Sequence, residues 1–436
     1  MPRTPRKLQT RTDFVVLGGG IAGLTALAEA RRRQINAIGL EAKGTVGGRI
    51  RTAWDRRVAR FPIELGAEFV HGPRMREVCE SLGLTLHRHP SDGDAFVDGQ
   101  FLPLKPVLEA FARIRHQAAD HLAAGRGDLP VEEFLAEFAA SDRAIPPGIT
   151  PHLLLQLIRN DFATRVSELG LLGLMAPDVD GYEDNYRVAE GYHEVPRRLA
   201  AESDVRVNHA ATAVLRYRDE VHVLTNRGVF VGNVVVVCLP LGVLQAGDVK
   251  FDPPLTDEKS AAINALSAGM ATKLVLAFRR TRKGTAFWPA TTPLLATSLA
   301  TQLWWPTGWG YDDRRTFLAS CLVGGAAVER FTDRDPRDVG LAQLAHMFGR
   351  DRVYRKALQW HRAKAWHADP RIKGGYSSVP VGVEPDTLRH LEACEDEANP
   401  QLVFAGDYVS RHPGSAHCAY QSGIDAVGRA VEARGT

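Results

Sequence analysis

The sequence predicts an α/β fold in which a parallel sheet is assembled from separated segments and a second, α+β domain is inserted between them. Near the N-terminus, an apolar strand at 13–17, a glycine-rich turn, a helix and a second apolar strand at 35–40 follow one another. The run Val234–Val237 is continuously apolar, as in strands that are buried on both faces of a sheet. A last apolar strand at 402–405 precedes a helical pattern that closes the chain. Strand signals at both ends therefore indicate one sheet built from distant segments.

Composition narrows the class of protein. The 436 residues are 44% hydrophobic and 24% charged, which excludes a largely disordered chain. The net charge of +3 is too small to indicate nucleic acid or an anionic membrane as the main partner. Five scattered cysteines without a Cys-x-x-Cys motif argue against a disulfide framework, so we expect a reducing compartment and no metal site. No apolar stretch reaches the roughly 18–20 residues that cross a bilayer, and we predict a soluble, cytoplasmic protein.

The glycine-rich turn predicts a binding site for the pyrophosphate of a dinucleotide. A strand that turns sharply into a helix gathers unpaired backbone N–H groups at the positive end of the helix dipole. Gly18 permits the tight turn, Gly20 lets the backbone approach the phosphates, and Gly23 allows close packing of helix and strand. Glu41 ends the second strand, where its carboxylate can accept both ribose hydroxyls and disfavours a 2′-phosphate. These residues alone leave NAD and FAD as candidates.

The segment after Glu41 separates these two cofactors. A Gly-Gly-Arg motif at 47–49 follows Glu41 in the pattern Glu-x5-Gly-Gly-Arg, and Leu-Gly-Ala-Glu stands at 65–68. With these motifs the chain resembles the flavin-containing amine oxidase family, which includes monoamine and polyamine oxidases, L-amino-acid oxidases and lysine demethylases. The resemblance implies a Rossmann-like FAD-binding domain built from discontinuous segments, with an inserted α+β substrate-binding domain. It also implies that Arg49 contacts phosphate.

The resemblance continues to the C-terminal region. Residues 204–252 are similar to the middle FAD segment of the family, in which the backbone at Ala211 would hold the adenine. Residues 414–423 are similar to the closing flavin segment, and Asp407 stands where a glutamate is more usual. Gly375 occupies the position at which enzymes with covalently bound flavin carry cysteine, so the resemblance implies noncovalent FAD.

The predicted domain and site assignments follow from this resemblance. The FAD-binding domain is expected to comprise residues 1–85, 200–258 and 397–436, and the substrate-binding domain residues 86–199 and 259–396. The residues assigned to FAD are Gly18, Gly20, Ala22, Gly23, Glu41, Ala42, Gly47, Gly48, Arg49, Leu65, Gly66, Ala67, Glu68, Ala211, Trp366, Gly406, Asp407, Ser415, Ala416 and Ala419.

Three further residues are candidates for the chemistry. Lys273 matches the family lysine that holds a water molecule next to flavin N5. Tyr376 matches an aromatic residue that stands over the flavin face and flanks the substrate nitrogen. His71 matches a histidine of many polyamine oxidases, as a hydrogen-bond partner of the substrate nitrogen or a pH-sensitive group. Ser415 stands where a second aromatic residue is common, which disfavours small arylalkyl amines as substrates.

The activity implied by the resemblance is FAD-dependent oxidation of an amine. A neutral amine would lose hydride from the adjacent carbon to flavin N5, the imine would be hydrolysed, and O2 would reoxidise the flavin and yield hydrogen peroxide. Polyamines or other secondary or long-chain amines are favoured because of His71. The partners are then a small-molecule amine and O2, with a homodimer as an option, and neither nucleic acid nor a membrane.

Three alternatives stay open at this point. An L-amino-acid oxidase of the same family would need an arginine to clamp the substrate carboxylate, for which Arg159 and Arg165 are candidates. An FAD-dependent desaturase or porphyrinogen-type oxidase would share the fold, although Lys273 and Tyr376 argue against it. A non-catalytic flavin-binding scaffold is the third alternative.

Overall fold

The computed structural model describes residues 9–140, 145–175, 185–280, 287–311, 313, 315–331, 334–349, 356–395, 400–409 and 414–434. Three sheets and two short strand pairs form its framework. Within the described residues, no helix combines the length and the apolar character needed to cross a bilayer.

A five-stranded parallel sheet draws its strands from distant parts of the chain. Its neighbouring strands pair in parallel, and Phe14–Leu17 pairs with both Ala37–Leu40 and Val234–Val237. The four valines of Val234–Val237 are fully buried, which explains their uninterrupted apolar run. In spatial order the strands are Asp204–Arg206, Ala37–Leu40, Phe14–Leu17, Val234–Val237 and Leu402–Phe404.

Two helices cover one face of this sheet. The first helix, Ile21–Arg32, packs against the closing helix, Ala416–Arg434. Gly423 permits their close approach, because a Cβ atom there would lie 2.3 Å from the carbonyl oxygen of Ala22. An N-terminal and a C-terminal helix therefore pack together on one face of the parallel sheet.

A second five-stranded sheet takes most of its strands from the middle of the chain. Buried and half-buried residues alternate along one of these strands, Val221–Thr225, so one face of the sheet packs on a core. In spatial order they are Gln9–Arg11, Gly228–Gly232, Val221–Thr225, Ala211–Arg216 and Lys250–Asp252.

A seven-stranded sheet forms the framework of the second half of the structure. Its long strand Ala271–Arg279 pairs antiparallel with Thr316–Gly324 on one side and Leu358–Ala365 on the other. Asp94–Val97 joins this sheet beside Leu295–Thr297, so strands before and after the middle FAD segment share it. The order is Leu358–Ala365, Ala271–Arg279, Thr316–Gly324, Leu303–Pro306, Leu295–Thr297, Asp94–Val97 and Gln100–Pro103.

Helices fill the remaining space. The block at 105–175, for which the sequence predicts several helices, contains Lys105–Ala123, Val131–Ala140, Pro151–Phe162 and Leu171–Leu174. The other helices are Gly72–Ser81, Glu194–Ala201, Leu241–Gln245, Asp257–Ala265, Pro336–Phe348 and Pro385–Glu392, with a 3₁₀ helix at Gly325–Phe331. The short strand pairs are Thr52–Ala53 with Ile63–Glu64 and Leu86–His89 with Asn185–Val188.

The predicted fold class is confirmed: a parallel α/β sheet from discontinuous segments adjoins a mixed α+β part. Ile263 and Leu391, which the predicted boundaries place in the substrate-binding domain, pack in the same apolar core as Val235 of the parallel sheet. The domain boundaries themselves stay a prediction.

Candidate active site

The turn between the first strand and the first helix has the steric features of a phosphate-binding loop. Gly18 has φ +106°, and a Cβ atom there would lie 2.5 Å from the carbonyl oxygen of Cys238. A Cβ atom on Gly23 would lie 1.9 Å from the Gly18 carbonyl oxygen, whereas one on Gly20 would meet only open space. No side-chain hydrogen bond caps the helix that begins at Ile21. Its first N–H groups therefore suit a bound anion.

Glu41 stands beside this turn and is already held by the backbone. Its Oε2 accepts a hydrogen bond from the Gly19 N–H at 2.7 Å, and its Oε1 accepts one from the Lys43 N–H at 2.7 Å. Burial raises the pKa of Glu41, and the N–H bonds and the Lys43 charge only partly oppose this effect. Each carboxylate oxygen keeps a second lone pair, so Glu41 can still accept ribose hydroxyls.

A long cavity connects the turn with the start of the closing helix. Its volume is about 1320 Å³, including its open mouth. All the residues that the sequence assigned to FAD line this cavity, except Gly23, Leu65 and Glu68. Gly23 packs behind the turn, and the Leu65 carbonyl oxygen accepts a hydrogen bond from Trp366 Nε1 at 3.0 Å. Glu68 lies behind the cavity wall in an ion-pair cluster described below.

Tyr376 and Ser415 line the part of the cavity that the family resemblance assigns to the flavin ring, called the ring end below. Gly66 leaves no room for a side chain in the cavity wall, because a Cβ atom there would lie 1.8 Å from the Arg49 carbonyl oxygen and 2.9 Å from the Trp366 ring. Ala416 and Ala419 line the cavity from the first turn of the closing helix, whose positive end favours negative charge on a bound ring.

Arg49 and Asp407 are paired with each other at the cavity wall. Arg49 Nη1 donates to Asp407 Oδ2 at 3.0 Å and to the Gly375 carbonyl oxygen at 2.6 Å, and Nη2 pairs with Asp407 Oδ1. Asp407 also accepts a hydrogen bond from Ser377 Oγ at 2.9 Å. Burial alone would raise the pKa of Asp407, but Arg49 and Ser377 outweigh it and hold that pKa below its usual value. The sequence assigned both side chains separately to FAD, and the structure places them against each other.

A group of charged residues near Trp366 was missed by the sequence reasoning. Asp369 Oδ2 accepts hydrogen bonds from Lys364 Nζ at 2.6 Å and from Lys43 Nζ at 2.9 Å. Burial opposes ionisation of Asp369, yet the two lysines lower its pKa to about 2. Lys43 and Arg371 line the cavity, as do His209, Pro240 and Leu322. Of these residues, only Lys43 has a position in the sequence that could have indicated it, two residues after Glu41.

Lys273 lies just behind the cavity. Its side chain is 2% exposed, and Nζ donates to Glu68 Oε2 at 2.5 Å while lying 4.3 Å from the Trp305 ring centroid. Ala271 lines the cavity two residues earlier on the same strand. Because side chains two apart on a strand share a face, Lys273 points to the cavity side of the sheet.

Tyr376 and Ser415 border the cavity near its ring end. Burial raises the pKa of Tyr376, and the charge of Asp161 adds to this effect, so its hydroxyl stays protonated. Ser415 Oγ lies 3.0 Å from His417 Nε2 and accepts a hydrogen bond from the Cys418 N–H at 3.3 Å. The position that is often aromatic in the family is therefore a hydroxyl–imidazole pair in this chain.

His71 is a part-buried, neutral imidazole that does not line the cavity. Its Nδ1 donates to Asn185 Oδ1 at 2.7 Å. Burial lowers the pKa of His71 to about 4, the Asn185 bond opposes this effect, and the nearby His417 charge adds to it. Asn185 carries no recognisable sequence signal, because it lies 114 residues from His71 along the chain and the fold brings the two together.

Asp161 is a second acidic group near the ring end that sequence reasoning missed. It lies in the helix Pro151–Phe162 and is exposed. Desolvation by the surrounding protein raises its pKa to about 6, while Asn160 and Arg115 oppose this effect. Its charge also raises the pKa of Tyr376, which places it close to the cavity-lining ring.

The two arginines proposed as carboxylate clamps lie elsewhere. Arg165 pairs with Glu329 and Glu168 and is 45% exposed. Neither Arg159 nor Arg165 lines the cavity. In the part of the chain that the structure describes, no group of three or more His, Cys, Asp and Glu residues is arranged to hold a metal ion.

These features together define a flavin-dependent oxidoreductase. The sequence model described as "Flavin containing amine oxidoreductase" matches residues 21–431. The chain therefore belongs to the flavin-containing amine oxidoreductase family, and its cofactor is FAD.

Curated relatives match nearly the whole chain. The sequence is 28% identical to Polyamine oxidase 3 of Oryza sativa subsp. japonica, over 97% of this chain and 90% of that protein. It is 26% identical to Polyamine oxidase 2 of Arabidopsis thaliana, over 97% of this chain and 88% of that protein.

Solved structures share the fold over the same length. A putrescine oxidase bound to putrescine has a TM-score of 0.79 at 16% identity and covers 98% of this chain and 100% of that chain. Cyclohexylamine oxidase from Brevibacterium oxydans has a TM-score of 0.79 at 17% identity with the same coverage.

Proposed function

We propose that this amine oxidoreductase acts on polyamines or other secondary or long-chain amines, with O2 as electron acceptor and hydrogen peroxide as product. The observation that carries the proposal is the accessible Asp161 carboxylate close to Tyr376. A substrate with a second amino group would place that ammonium against Asp161 while its reacting nitrogen lies beside Tyr376. The similarity to plant polyamine oxidases supports the same substrate class.

Bound FAD supplies the acceptor for the hydride that leaves the carbon beside the amine nitrogen. The residues of this chain bind and orient the amine. Tyr376, protonated across the physiological range, offers a ring face and a hydroxyl donor. Burial keeps His71 neutral, and the imidazole is the hydrogen-bond partner proposed for the substrate nitrogen. Lys273 would hold the water molecule at the flavin side of the wall.

The hydroxyl–imidazole pair of Ser415 and His417 bears on the type of amine that the site accepts. A hydroxyl–imidazole wall offers hydrogen bonds where an aromatic wall would offer a stacking face. It therefore supports a flexible, polar amine over a small arylalkyl amine.

The alternatives have less support from the site. An L-amino-acid substrate needs a cationic clamp, but Arg165 is committed to Glu329 and neither candidate arginine lines the cavity. The scattered cysteines, which contain no Cys-x-x-Cys motif, support the proposed cytoplasmic location. A homodimer remains a proposal from the family resemblance alone.

Anaerobic mixing of the yellow holoenzyme with an amine panel tests this function. Putrescine, spermidine, spermine and N-acetylated polyamines are compared with benzylamine, phenylethylamine, L-amino acids and a porphyrinogen. We expect bleaching of the visible flavin bands by the polyamines, and peroxide on admission of air. Bleaching by L-amino acids, or by a porphyrinogen without any amine, would overturn the proposed substrate class.

A further inference from the structure

Three buried charged side chains form a cluster behind the cavity wall. Glu68 pairs through Oε2 with Lys273 Nζ at 2.5 Å and through Oε1 with Arg187 Nη2 at 2.6 Å. Their side chains are only 1%, 2% and 3% exposed, respectively. Arg187 Nη1 donates in turn to the carbonyl oxygen of Thr307. One carboxylate therefore binds two cations that come from distant segments of the chain.

Two residues of the cluster, Glu68 and Lys273, are close in sequence to residues that line the cavity. Glu68 directly follows Ala67, and Lys273 lies two residues after Ala271, and both alanines line the cavity. On its other side the Lys273 ammonium lies 4.3 Å from the Trp305 ring centroid. The ammonium is thus fixed between a carboxylate and an aromatic face at a defined place behind the wall.

The surroundings of the cluster contain few other groups that could set its charge. Glu64 is buried, accepts hydrogen bonds from the Tyr192 N–H at 2.9 Å and from Thr52 Oγ at 2.8 Å, and has a pKa that burial raises to about 7. Burial lowers the pKa of His89 to about 4, and the Arg187 charge adds to this effect. The other titratable groups that face the cluster are Tyr192, Tyr311 and Cys321, whose pKa values burial raises.

Glu68 is therefore the carboxylate that balances Lys273 directly. Burial alone would raise the pKa of Glu68, but Arg187 and Lys273 outweigh it and hold that pKa below its usual value. A lysine side chain has four flexible carbons and loses its proton readily in an apolar surrounding without an anionic partner. The Arg187 contact fixes the carboxylate, and the carboxylate fixes the lysine.

We infer that Glu68, anchored by Arg187, is a positioning residue that holds Lys273 as an oriented cation at the wall of the flavin cavity. The sequence had assigned Glu68 to FAD itself, whereas its contacts in the structure are with the lysine and the arginine. The inference rests on the proposed role of Lys273 in amine oxidation.

The test compares holoenzymes carrying Glu68→Gln, Lys273→Met and both substitutions, with Glu80→Gln as a surface control. Glu80 is 59% exposed and pairs only loosely with Arg76, at 3.8 Å. The first readout is the visible flavin spectrum across the pH range, which requires no substrate. We expect Glu68→Gln to show a pH-dependent band shift, because Lys273 can now lose its proton. The control, the Lys273→Met holoenzyme and the double variant should show no such transition.

The second readout is steady-state kinetics with a bleaching amine. Glu68→Gln should lower kcat about tenfold or more with KM within about twofold, and Glu68→Asp should restore part of the loss. In the Lys273→Met background, Glu68→Gln should have no further effect, since Glu68 acts through the lysine. A loss of kcat in the double variant equal to the product of the two single losses would overturn the inference. A Glu68→Gln enzyme whose flavin spectrum changes with pH as in the wild type would also overturn it.

Two outcomes separate this inference from the proposed function. If no amine bleaches the wild-type flavin, the proposed function fails, while the spectral titration still decides the role of Glu68. If Glu68→Gln does not yield holoenzyme, Glu68→Asp replaces it, because its carboxylate withdraws from Lys273 by one methylene. A wild-type spectral titration of that variant would then count against the inference.

Discussion

Arg49 and Asp407, 358 residues apart in the sequence, form a two-point ion pair at the wall of the FAD cavity. Arg49 belongs to the N-terminal nucleotide-binding segment, and Asp407 follows the last strand of the parallel sheet. Because the Arg49 guanidinium also donates to the Gly375 carbonyl oxygen, it joins three segments of the chain around the cofactor.

Replacing Asp407 by asparagine should therefore weaken both the fold and FAD binding. Asparagine keeps the shape of the side chain but leaves the Arg49 charge without its partner. We expect the free energy of unfolding to fall by about 2–3 kcal/mol, less than for a fully buried pair, because the Arg49 side chain is 30% exposed. We expect a lower Tm and FAD release that is about tenfold faster, measured by the rise in free-flavin fluorescence. Asp55→Asn, which breaks an exposed pair with Arg57, is the matched control and should leave Tm nearly unchanged. Equal effects of the two substitutions would contradict a special role for the Arg49–Asp407 pair.

Asp161 should govern preference for substrates with two amino groups. In Asp161→Asn, KM for a diamine should rise about tenfold, which corresponds to about 1.4 kcal/mol for one lost charge contact. KM for the monoamine of equal chain length should stay within about twofold, because that substrate has no second ammonium to bind. The pair of substrates serves as the internal control. A similar rise in KM for both amines would place Asp161 outside the binding of the second amino group.

Glu64 should make stability depend on pH in a defined direction. Its pKa rises from the ordinary 4.5 to about 7 in the folded protein, so the folded state holds a proton that the unfolded state has released. The stabilisation is present below about pH 4.5 and is lost as the pH rises through about 7, by up to about 3 kcal/mol. Glu64→Gln keeps a neutral, hydrogen-bonding side chain. Its Tm relative to the wild type should therefore increase between about pH 5 and pH 8, and a constant difference would refute this expectation.

His71 should contribute no ionisation to the kinetics near neutral pH. Because burial lowers its pKa to about 4, the imidazole is already neutral across the range from about pH 5 to pH 8. His71→Ala should raise KM, since an amine loses a hydrogen-bond partner, and should leave the shape of the kcat/KM profile over that range unchanged. Disappearance of a limb of the profile in the variant would show instead that His71 titrates there.

Local sequence patterns were sufficient for the phosphate-binding end of the site. The steric demand on Gly23 arises from the Gly18 carbonyl oxygen in the same turn, so this glycine spacing is readable without the tertiary structure, whereas the contact of Gly18 with Cys238 joins distant segments. The buried run Val234–Val237 is equally local, because a strand covered on both faces needs apolar residues at every position.

The electrostatic arrangement of the site depends on the tertiary structure. Glu68 was assigned to FAD as part of the Leu-Gly-Ala-Glu motif at 65–68, but its partners Lys273 and Arg187 come from strands 205 and 119 residues further along. Asn185 and Asp161 reach the site in the same way, from segments without a recognisable motif.

The sequence by itself thus determined the parallel sheet and the dinucleotide turn, because apolar runs and glycine spacing are local features, and the resemblance of its motifs to the family identified FAD. Only the tertiary structure decided which charges face one another behind the cavity wall. An ion pair depends on distance and burial, and neither is encoded in the spacing of two residues far apart along the chain.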